Sequence, residues 1–317
     1  MAKKDNYALL YRVASYYYND GLTQDEIARI ENFSRPHVSR LLDRAKETGI
    51  VRIEVVKPDF LSTDSVAAEL KERLGLKSVS VCPNSFNTNN EVSYEIAQYA
   101  TNILNDLLED ATFVGLGWGY TVYQTAKMIN HKIRKKDLTF APLVGLSNMN
   151  SRYYMNNNIV NLFAENTDSN GYYCSVPLVQ NRKKLTELEE KSFQELIKQW
   201  ENIDAAIISV GGPPTEDLTR NDPMVTEFNE YISTVDIAGN VLTHYFDAKG
   251  NSLDQDISKY FYTATYDINK LKKLKSSICL AGGPEKVDAI IMFAKMRFFN
   301  KLITDEITAR MIIERLK

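Results

Sequence analysis

Arg40 and Arg44 stand one helical turn apart, with Arg35, His37 and Ser39 just upstream, in the stretch 34–46, SRPHVSRLLDRAK. Guanidinium, imidazole and hydroxyl groups are the donors that reach phosphate oxygens and base edges, so the chemistry on offer is contact with a nucleic acid. The apolar residues Val38, Leu41, Leu42 and Ala45 recur at i, i+3, i+4 and i+7, which predicts an amphipathic helix with one buried face. At about 100° per residue, Pro36, Arg40, Asp43 and Arg44 project from the opposite side, with His37 and Ser39 on its flanks. Ser34 reads as an N-cap, and Pro36 falls in the first turn, where a missing N–H costs little. The same pattern would also suit a solvated face of a plain helical bundle. Position favours contact, because the small, hydrogen-bonding and cationic residues occupy the first turns, the part of a recognition helix that reaches base edges.

The preceding residues predict the elements that would hold this helix. Residues 5–19 read as a helix with Tyr7, Leu10, Tyr11, Ala14 and Tyr18 on one face, broken by Asn19-Asp20-Gly21. Thr23 and Glu26 make a capping box, and Leu22 is placed to staple onto Ile27. Two short helices, 23–30 and 35–47, joined by a tight turn, have the layout of a helix-turn-helix. Thr23 and Gln24, at the head of its first helix, join Arg35, Pro36, His37, Ser39, Arg40 and Arg44 as candidate DNA contacts. Gly49 stops the second helix, and residues 51–56 alternate as a strand does, which predicts a winged variant. Lys57-Pro58-Asp59 marks the boundary, giving a DNA-binding domain over 1–58 and a second domain over 59–317.

Length and charge agree with two domains. The 317 residues, 44% hydrophobic and 25% charged, exceed one average domain and supply a sizeable core. Residues 1–58 carry net +2 and residues 59–317 net −5, a contrast that permits a small nucleic-acid-binding module on a larger acidic domain. No apolar run approaches the roughly 18 residues that span a bilayer, and MAKKDNYALLYR lacks the apolar region of a signal peptide, so no membrane partner and a cytoplasmic location are expected. Cys82, Cys174 and Cys279 are isolated and read as small core residues rather than a disulfide framework or zinc ligands.

Beyond residue 59, a helix is expected over 62–74, a strand over 78–82 and a helix over 91–108. Strands follow at 112–117, 138–144, 172–176, 204–210 and 277–281, with shorter ones near 234–238 and 241–246. Helices fill 121–130, 156–165, 184–201, 285–295 and 304–316. Alternation of this kind implies an α/β domain with a mostly parallel sheet covered on both faces. Ligands in such sheets sit at the carboxyl ends of the strands, so glycine-rich strand ends are the candidates.

The first is Val114-Gly115-Leu116-Gly117-Trp118-Gly119-Tyr120-Thr121-Val122, where Gly117 and Gly119 allow close backbone approach and the amides after them face an anion. It is neither a dinucleotide fingerprint nor a P-loop, and by itself it fits a phosphate cradle or a packing turn. The others are Leu143-Val144-Gly145-Leu146-Ser147-Asn148 with Arg152 nearby, Ser209-Val210-Gly211-Gly212-Pro213-Pro214, and Leu280-Ala281-Gly282-Gly283-Pro284-Glu285-Lys286. Lys286 at a helix start opposes the dipole, which a bound anion would explain and an exposed lysine would explain more simply. Tyr245-Phe246-Asp247-Ala248-Lys249-Gly250-Asn251 reads as a hairpin turn. No GxSxG, HExxH or CxxC motif occurs, and His37, His131 and His244 are scattered, so neither catalytic residues nor metal ligands nor a cofactor are expected.

Five blocks in order carry a resemblance to the SorC family of sugar-responsive bacterial transcriptional regulators: Leu22-Thr23-Gln24-Asp25-Glu26-Ile27-Ala28, Ser34 to Leu42, Gly117-Trp118-Gly119-Tyr120-Thr121, Phe246-Asp247-Ala248-Lys249-Gly250, and Gly282-Gly283-Pro284-Glu285-Lys286 with Ile303-Thr304-Asp305-Glu306. The resemblance implies a winged helix-turn-helix joined to an α/β effector domain related to sugar-phosphate isomerase and deaminase folds, without their activity. It implies a phosphorylated sugar or polyol as effector, with Gly117, Gly119, Tyr120, Thr121 and Lys286 around the phosphate, Asp247 on sugar hydroxyls, and Gly145 and Arg152 nearby. Tyr120 departs from the small hydroxyl residue often found there. The Gly145 loop lacks the lysine with which some relatives could trap an aldehyde. The expected partners are operator DNA, the phosphosugar and further copies of the chain, since one helix-turn-helix reads about half a site. The rival reading is a sugar-phosphate isomerase or deaminase with an appended DNA-binding module.

Overall fold

The computed structural model describes residues 2–51, 63–83, 89–130, 138–146, 155–181, 186–213 and 226–317. The chain falls into two compact units, Met1–Phe60 and Leu61–Lys317.

The smaller unit is a three-helix bundle of α1 (Ala2–Tyr18), α2 (Gln24–Ile30) and α3 (Arg35–Glu47). Its core is Leu10, Val13, Ala14, Ile27, Ala28, Val38, Leu41, Leu42 and Ala45. The apolar stripe expected of α3 is therefore buried residue for residue. The face expected of α1 is corrected: Leu10, Val13 and Ala14 turn inward, while Tyr7 and Tyr11 are 51% and 65% exposed. The small three-helix core takes the aliphatic side chains and leaves the larger rings outside. The capping box forms, with Glu26 N donating to Thr23 Oγ1 at 3.3 Å and Thr23 N to Glu26 Oε2 at 2.8 Å. Ser34 stands at the N-cap of α3, but its hydroxyl makes no capping bond. Between the helices Asn32 takes φ 58°, a left-handed turn that asparagine tolerates well. Arg12 grips Glu31 with Nε–Oε1 and Nη2–Oε2 bonds of 2.6 and 2.7 Å, pinning the turn to α1. The expected wing, 51–56, lies outside the described residues apart from Val51.

The larger unit opens with α4 (Asp64–Leu74), β1 (Ser78–Cys82), α5 (Asn89–Leu107), β2 (Phe113–Leu116), α6 (Tyr120–Met128), β3 (Thr139–Pro142), α7 (Asn156–Thr167) and β4 (Asn170–Gly171). It continues through β5 (Val179–Asn181), α8 (Glu187–Trp200), β6 (Ala205–Ile208), β7 (Val210–Gly211), α9 (Thr226–Ser233), β8 (Gly239–Val241) and β9 (His244–Phe246). It closes with α10 (Asp254–Ile257), β10 (Phe261–Thr263), α11 (Ile268–Leu271), β11 (Ser276–Leu280), α12 (Val287–Lys295), β12 (Lys301–Asp305) and α13 (Glu306–Arg315). Seven strands form one sheet in the order β1-β12-β11-β6-β2-β3-β4, and every neighbouring pair is parallel. Residues of α5, α6 and α7 fill a core on one face, among them Ile96, Leu104, Val122, Ile159 and Phe163. Residues of α4, α8, α12 and α13 fill the other, among them Leu70, Trp200, Phe293 and Ile312. Burial on both sides explains why β6 reads as a continuous apolar run and why every residue of β11 is buried, Ser276 and Ser277 included. Cys82, Cys174 and Cys279 are free thiols inside these cores, and burial pushes the Cys174 thiol up to about 11.

Several expected elements differ. Residues 172–176 form no strand, because the side-chain amide of Asn157 takes the place of a ladder, bonding Cys174 O at 2.8 Å and Cys174 N at 3.1 Å. Residues 234–238 are a turn and a loop leading into β8. The helix expected over 304–316 begins only at Glu306, since Thr304 and Asp305 belong to β12, and Asp305 caps α13 by accepting from Thr308 N at 2.9 Å.

The chain path locates a crevice. From β2 the chain crosses to β3 and β4 on one side, whereas from β6, which lies against β2, it crosses to β11 and β12 on the other. Connections that part in this way leave an opening outside the carboxyl ends of β2 and β6, the place where doubly wound sheets bind ligands.

Candidate functional site

In the smaller unit, Arg35, Pro36, Arg40 and Arg44 are exposed, while His37 and Ser39 are half-buried. An Arg35–Asp25 contact of 3.9 Å brings the first turns of α2 and α3 together. Thr23 spends its hydroxyl on the cap, donating to Glu26 Oε2 at 2.7 Å, and Gln24 is the first residue of α2. The His37 ring lies edge-on to Phe33, centroids 4.8 Å apart, which fixes its direction. Arg40 Nε donates to Pro36 O at 3.3 Å, holding the guanidinium along the exposed face. The arrangement offers a polar, arginine-bearing helix face of the kind that enters a major groove.

In the larger unit, the glycine-rich strand ends converge on the crevice. Gly117 N donates to Ile207 O at 2.8 Å, and a Cβ on Gly117 would lie 3.1 Å from Leu242 Cδ2 and 3.3 Å from Ile208 Cα. A Cβ on Gly212, after β7, would strike the carbonyl of Glu285, so the turn after β6 touches the turn after β11. Gly119 is the N-cap of α6 at φ 116°, ψ 168°, and a Cβ there would meet nothing within 4 Å. That glycine is needed for its backbone conformation, and the space before it is open. The amides of Tyr120, Thr121 and Val122 precede the first bond of the helix, Tyr123 N to Gly119 O at 3.0 Å, at the positive end of the helix, an arrangement that suits an anion. Thr121 is buried beneath them, 2% exposed.

Lys286 ends a 3-10 turn, Pro284–Lys286, and is the N-cap residue of α12. Burial pushes its ammonium below the usual lysine range, while Glu285 pulls it back. A cation at a helix amino end is poorly placed on its own and well placed beside a bound anion. Gly282 has no room for a Cβ because of Asp305 Oδ2, and Gly283 N donates to Thr308 Oγ1 at 2.7 Å. Asp305 and Thr308 thus shape the lysine turn. In the sequence Asp305 stands only within the block Ile303-Thr304-Asp305-Glu306, and nothing there links it or Thr308 to the lysine turn.

Asp247 is placed differently from a side chain waiting for a ligand. Its Oδ1 accepts from Lys249 N and Asn251 N at 2.9 and 2.8 Å, and its Oδ2 from Asn251 Nδ2 at 2.9 Å, closing the 247–251 turn. These bonds, Asn251's first, hold its carboxyl below the usual range. Gly145 is explained by packing, since a Cβ would lie 2.7 Å from Val176 O and 2.9 Å from Leu178 N. Arg152 and His131 lie outside the described residues.

Two features went unread in the sequence. Leu242 and Thr243, which join β8 to β9, both take positive φ, 50° and 64°, an unusual state for a β-branched residue, and place Leu242 against Gly117. The next residue, His244, presents Nδ1 to Asp254 Oδ2 at 2.5 Å and Nε2 to Tyr266 O at 3.0 Å. Both nitrogens face acceptors, an arrangement that favours the imidazolium over the neutral ring.

A cavity of about 610 Å³ opens at the opposite, amino end of the sheet, among Asp106, Glu109, Glu201, Asp204, Lys270 and Lys301. Its polar groups serve the fold: Asp204 accepts from Thr112 N, Thr112 Oγ1 and Phe113 N, and Lys301 Nζ donates to Leu107 O at 3.0 Å. The carboxyl-end crevice, by contrast, brings the first turn of α6 and the turn that carries Lys286 to the place where doubly wound sheets bind ligands. Among the described residues, no cluster of three or more His, Cys, Asp or Glu is arranged for a metal, and no helix is long and apolar enough to cross a membrane.

Comparison with known proteins agrees with this geometry. The Sugar-bind family model, a sugar-binding domain, matches residues 59–314. The deoxyribonucleoside regulator of Bacillus subtilis (strain 168) is 28% identical over 315 residues, 99% of each chain. The sorbitol operon regulator of Klebsiella pneumoniae is 24% identical over 319 residues, covering 99% of this chain and 100% of its own. The crystal structure of that full-length regulator, SorC, superposes with a TM-score of 0.69 over 98% of this chain and 99% of its own, at 24% identity. The two-part fold, a helix-turn-helix followed by an α/β domain, is thus that of a full-length regulator, and this chain belongs to the sugar-binding-domain family of SorC-type proteins.

Proposed function

We propose that the protein is a DNA-binding transcriptional regulator of a carbohydrate, polyol or nucleoside operon, controlled by a phosphorylated sugar or polyol. The observation that carries this reading is the pairing, on one chain, of an exposed, arginine-bearing α3 with a sugar-binding-family domain over 59–314. The relatives named above are themselves regulators, as are the LsrR proteins of Enterobacter and Escherichia coli, 27% and 24% identical. Residues 1–58 hold operator DNA, with Arg40 and His37 toward the bases and Arg35 and Arg44 toward phosphates. Residues 59–317 hold the effector and join copies of the chain in the cytoplasm. The effector phosphate sits on the first-turn amides of α6, over Gly119, Tyr120 and Thr121, with Lys286 as counter-charge, and Asp247 shapes the adjoining turn. Turnover of sugar phosphates would need a positioned base, and the Asp247 carboxylate is occupied by its own loop.

Calorimetry of the whole protein against a panel of sugar and polyol phosphates tests the reading. Binding is expected for a phosphorylated member, and Lys286→Ala abolishes it. Equal binding of the unphosphorylated sugars would refute the phosphate site.

A further inference from the structure

Three adjacent asparagines open α7, and the side chains of the first two are bonded unequally. Asn157 uses both ends of its amide on the backbone of Cys174. Asn156 is 1% exposed and uses only one end: Nδ2 donates to Val144 O at 2.9 Å and Gly145 O at 2.6 Å, while the buried Oδ1 has no hydrogen-bond partner among the described residues. Exchanging the oxygen and nitrogen of this amide would set Oδ1 against two carbonyls, so the assignment is forced. A buried acceptor without a donor is costly and rare in a folded protein, and it calls for a partner supplied from elsewhere.

The position of Asn156 indicates which partner. α6 and α7 begin at the carboxyl ends of the adjacent strands β2 and β3 and pack together on one face of the sheet. There Val122, Ile159 and Phe163 share a core, and Asn166 Nδ2 donates to Ala126 O at 2.9 Å. Asn156 therefore starts the helix beside the one whose first turn carries Gly119, Tyr120 and Thr121. Within α7 the first backbone bond runs from Asn158 N to Met155 O, leaving the amides of Asn156 and Asn157 ahead of it. This corner offers positive helix ends and one fixed acceptor, a combination that suits a hydroxyl carried on an anionic ester.

We propose that Asn156 is a specificity-determining residue of the crevice, its Oδ1 accepting a hydrogen bond from one hydroxyl of the phosphorylated sugar or polyol. The proposal rests on the sugar-phosphate reading above. Because Val144 O and Gly145 O hold the amide plane, the acceptor is presented in a single direction, and discrimination falls on that hydroxyl.

The test is calorimetry on the full chain with pairs of probes that differ by one hydroxyl: ribose and 2-deoxyribose 5-phosphate, glucose and 2-deoxyglucose 6-phosphate, and sorbitol 6-phosphate with its monodeoxy analogues. Wild-type protein is expected to favour the hydroxylated member of one pair by about tenfold or more. In Asn156→Ala that ratio falls to near unity while the deoxy member binds about as before. A merely structural asparagine would weaken both members by the same factor. If Asn156→Ala melts below the assay temperature, Asn156→Ser is read the same way, since its hydroxyl can still serve the Gly145 carbonyl. A wild-type ratio near unity for every pair, or a ratio that survives the substitution, overturns the role of Asn156. Failure of the wild type to bind any sugar phosphate overturns instead the reading on which it rests.

Discussion

Replacing Gly119 by alanine separates the conformational need for a glycine from the steric one. The residue sits at φ 116°, ψ 168°, a region that L-residues avoid, yet a Cβ there would touch nothing within 4 Å. The whole penalty is therefore backbone strain, about 1–3 kcal/mol, which for a unit of this size lowers the melting temperature by about 2–4 °C per kcal/mol. The chain can relieve the strain by unwinding the first turn of α6, and that movement turns the amides of Tyr120, Thr121 and Val122 away from the anion. Effector binding is thus expected to suffer more than stability does. Gly115→Ala is the control: inside β2 its Cβ would lie 2.5 Å from Leu143 Cδ2 and 3.2 Å from Ile203 Cδ1, an overpacking cost of about 1–3 kcal/mol that leaves the first turn of α6 in place. Thermal melts with and without the sugar phosphate that binds best read both effects. Gly119→Ala should melt lower and lose most of the ligand-induced rise, whereas Gly115→Ala should melt lower and keep it. A Gly119→Ala protein that melts like the wild type and keeps the full rise would refute the assignment of this turn.

Three further outcomes are expected. Arg40→Ala should weaken operator binding by about 1–3 kcal/mol in a gel-shift titration, with the fold intact because Arg40 is exposed; unchanged binding would remove α3 from the groove. Thr23→Ala deletes the hydroxyl half of the α2 capping box, keeping only the bond from the backbone N–H of residue 23 to Glu26, and should cost about 0.5–2 kcal/mol in denaturant unfolding of the smaller unit. Burial pushes the His244 imidazole down, but the hydrogen bond and charge of Asp254 outweigh it and leave the folded value raised above 6.5. A raised folded value means that the stabilisation is complete below about pH 6.5 and is lost as pH rises through the folded value. The melting temperature should fall across that window in the wild type, and this fall should flatten in His244→Gln.

The local rules that governed α3 worked because they depend on near neighbours alone. Val38, Leu41, Leu42 and Ala45 are all buried, and the Thr23–Glu26 box forms as its spacing predicts. The glycine-rich strand ends were likewise legible, and the fold brings the turns at 117, 212 and 283–285 to one crevice. What stayed hidden depends on distant partners. β12 is a sheet-interior strand between β1 and β11, but its short apolar run, Leu302-Ile303, merges in sequence with the helix that Asp305 caps. The expected strand at 172–176 gave way to a side chain, Asn157, from another element. Asp247 carries a family motif, yet its bonds close its own turn. The strained Leu242-Thr243 pair has no glycine to announce it.

The central claim is that effector and operator are coupled through one chain, and the dissociation constant for operator DNA, taken from the region beside the gene, tests it most directly with and without saturating sugar phosphate. The account predicts a change of about 5- to 150-fold, the usual range of coupling between sites, that disappears in Lys286→Ala. An operator affinity that stays the same while a sugar phosphate is demonstrably bound would contradict it.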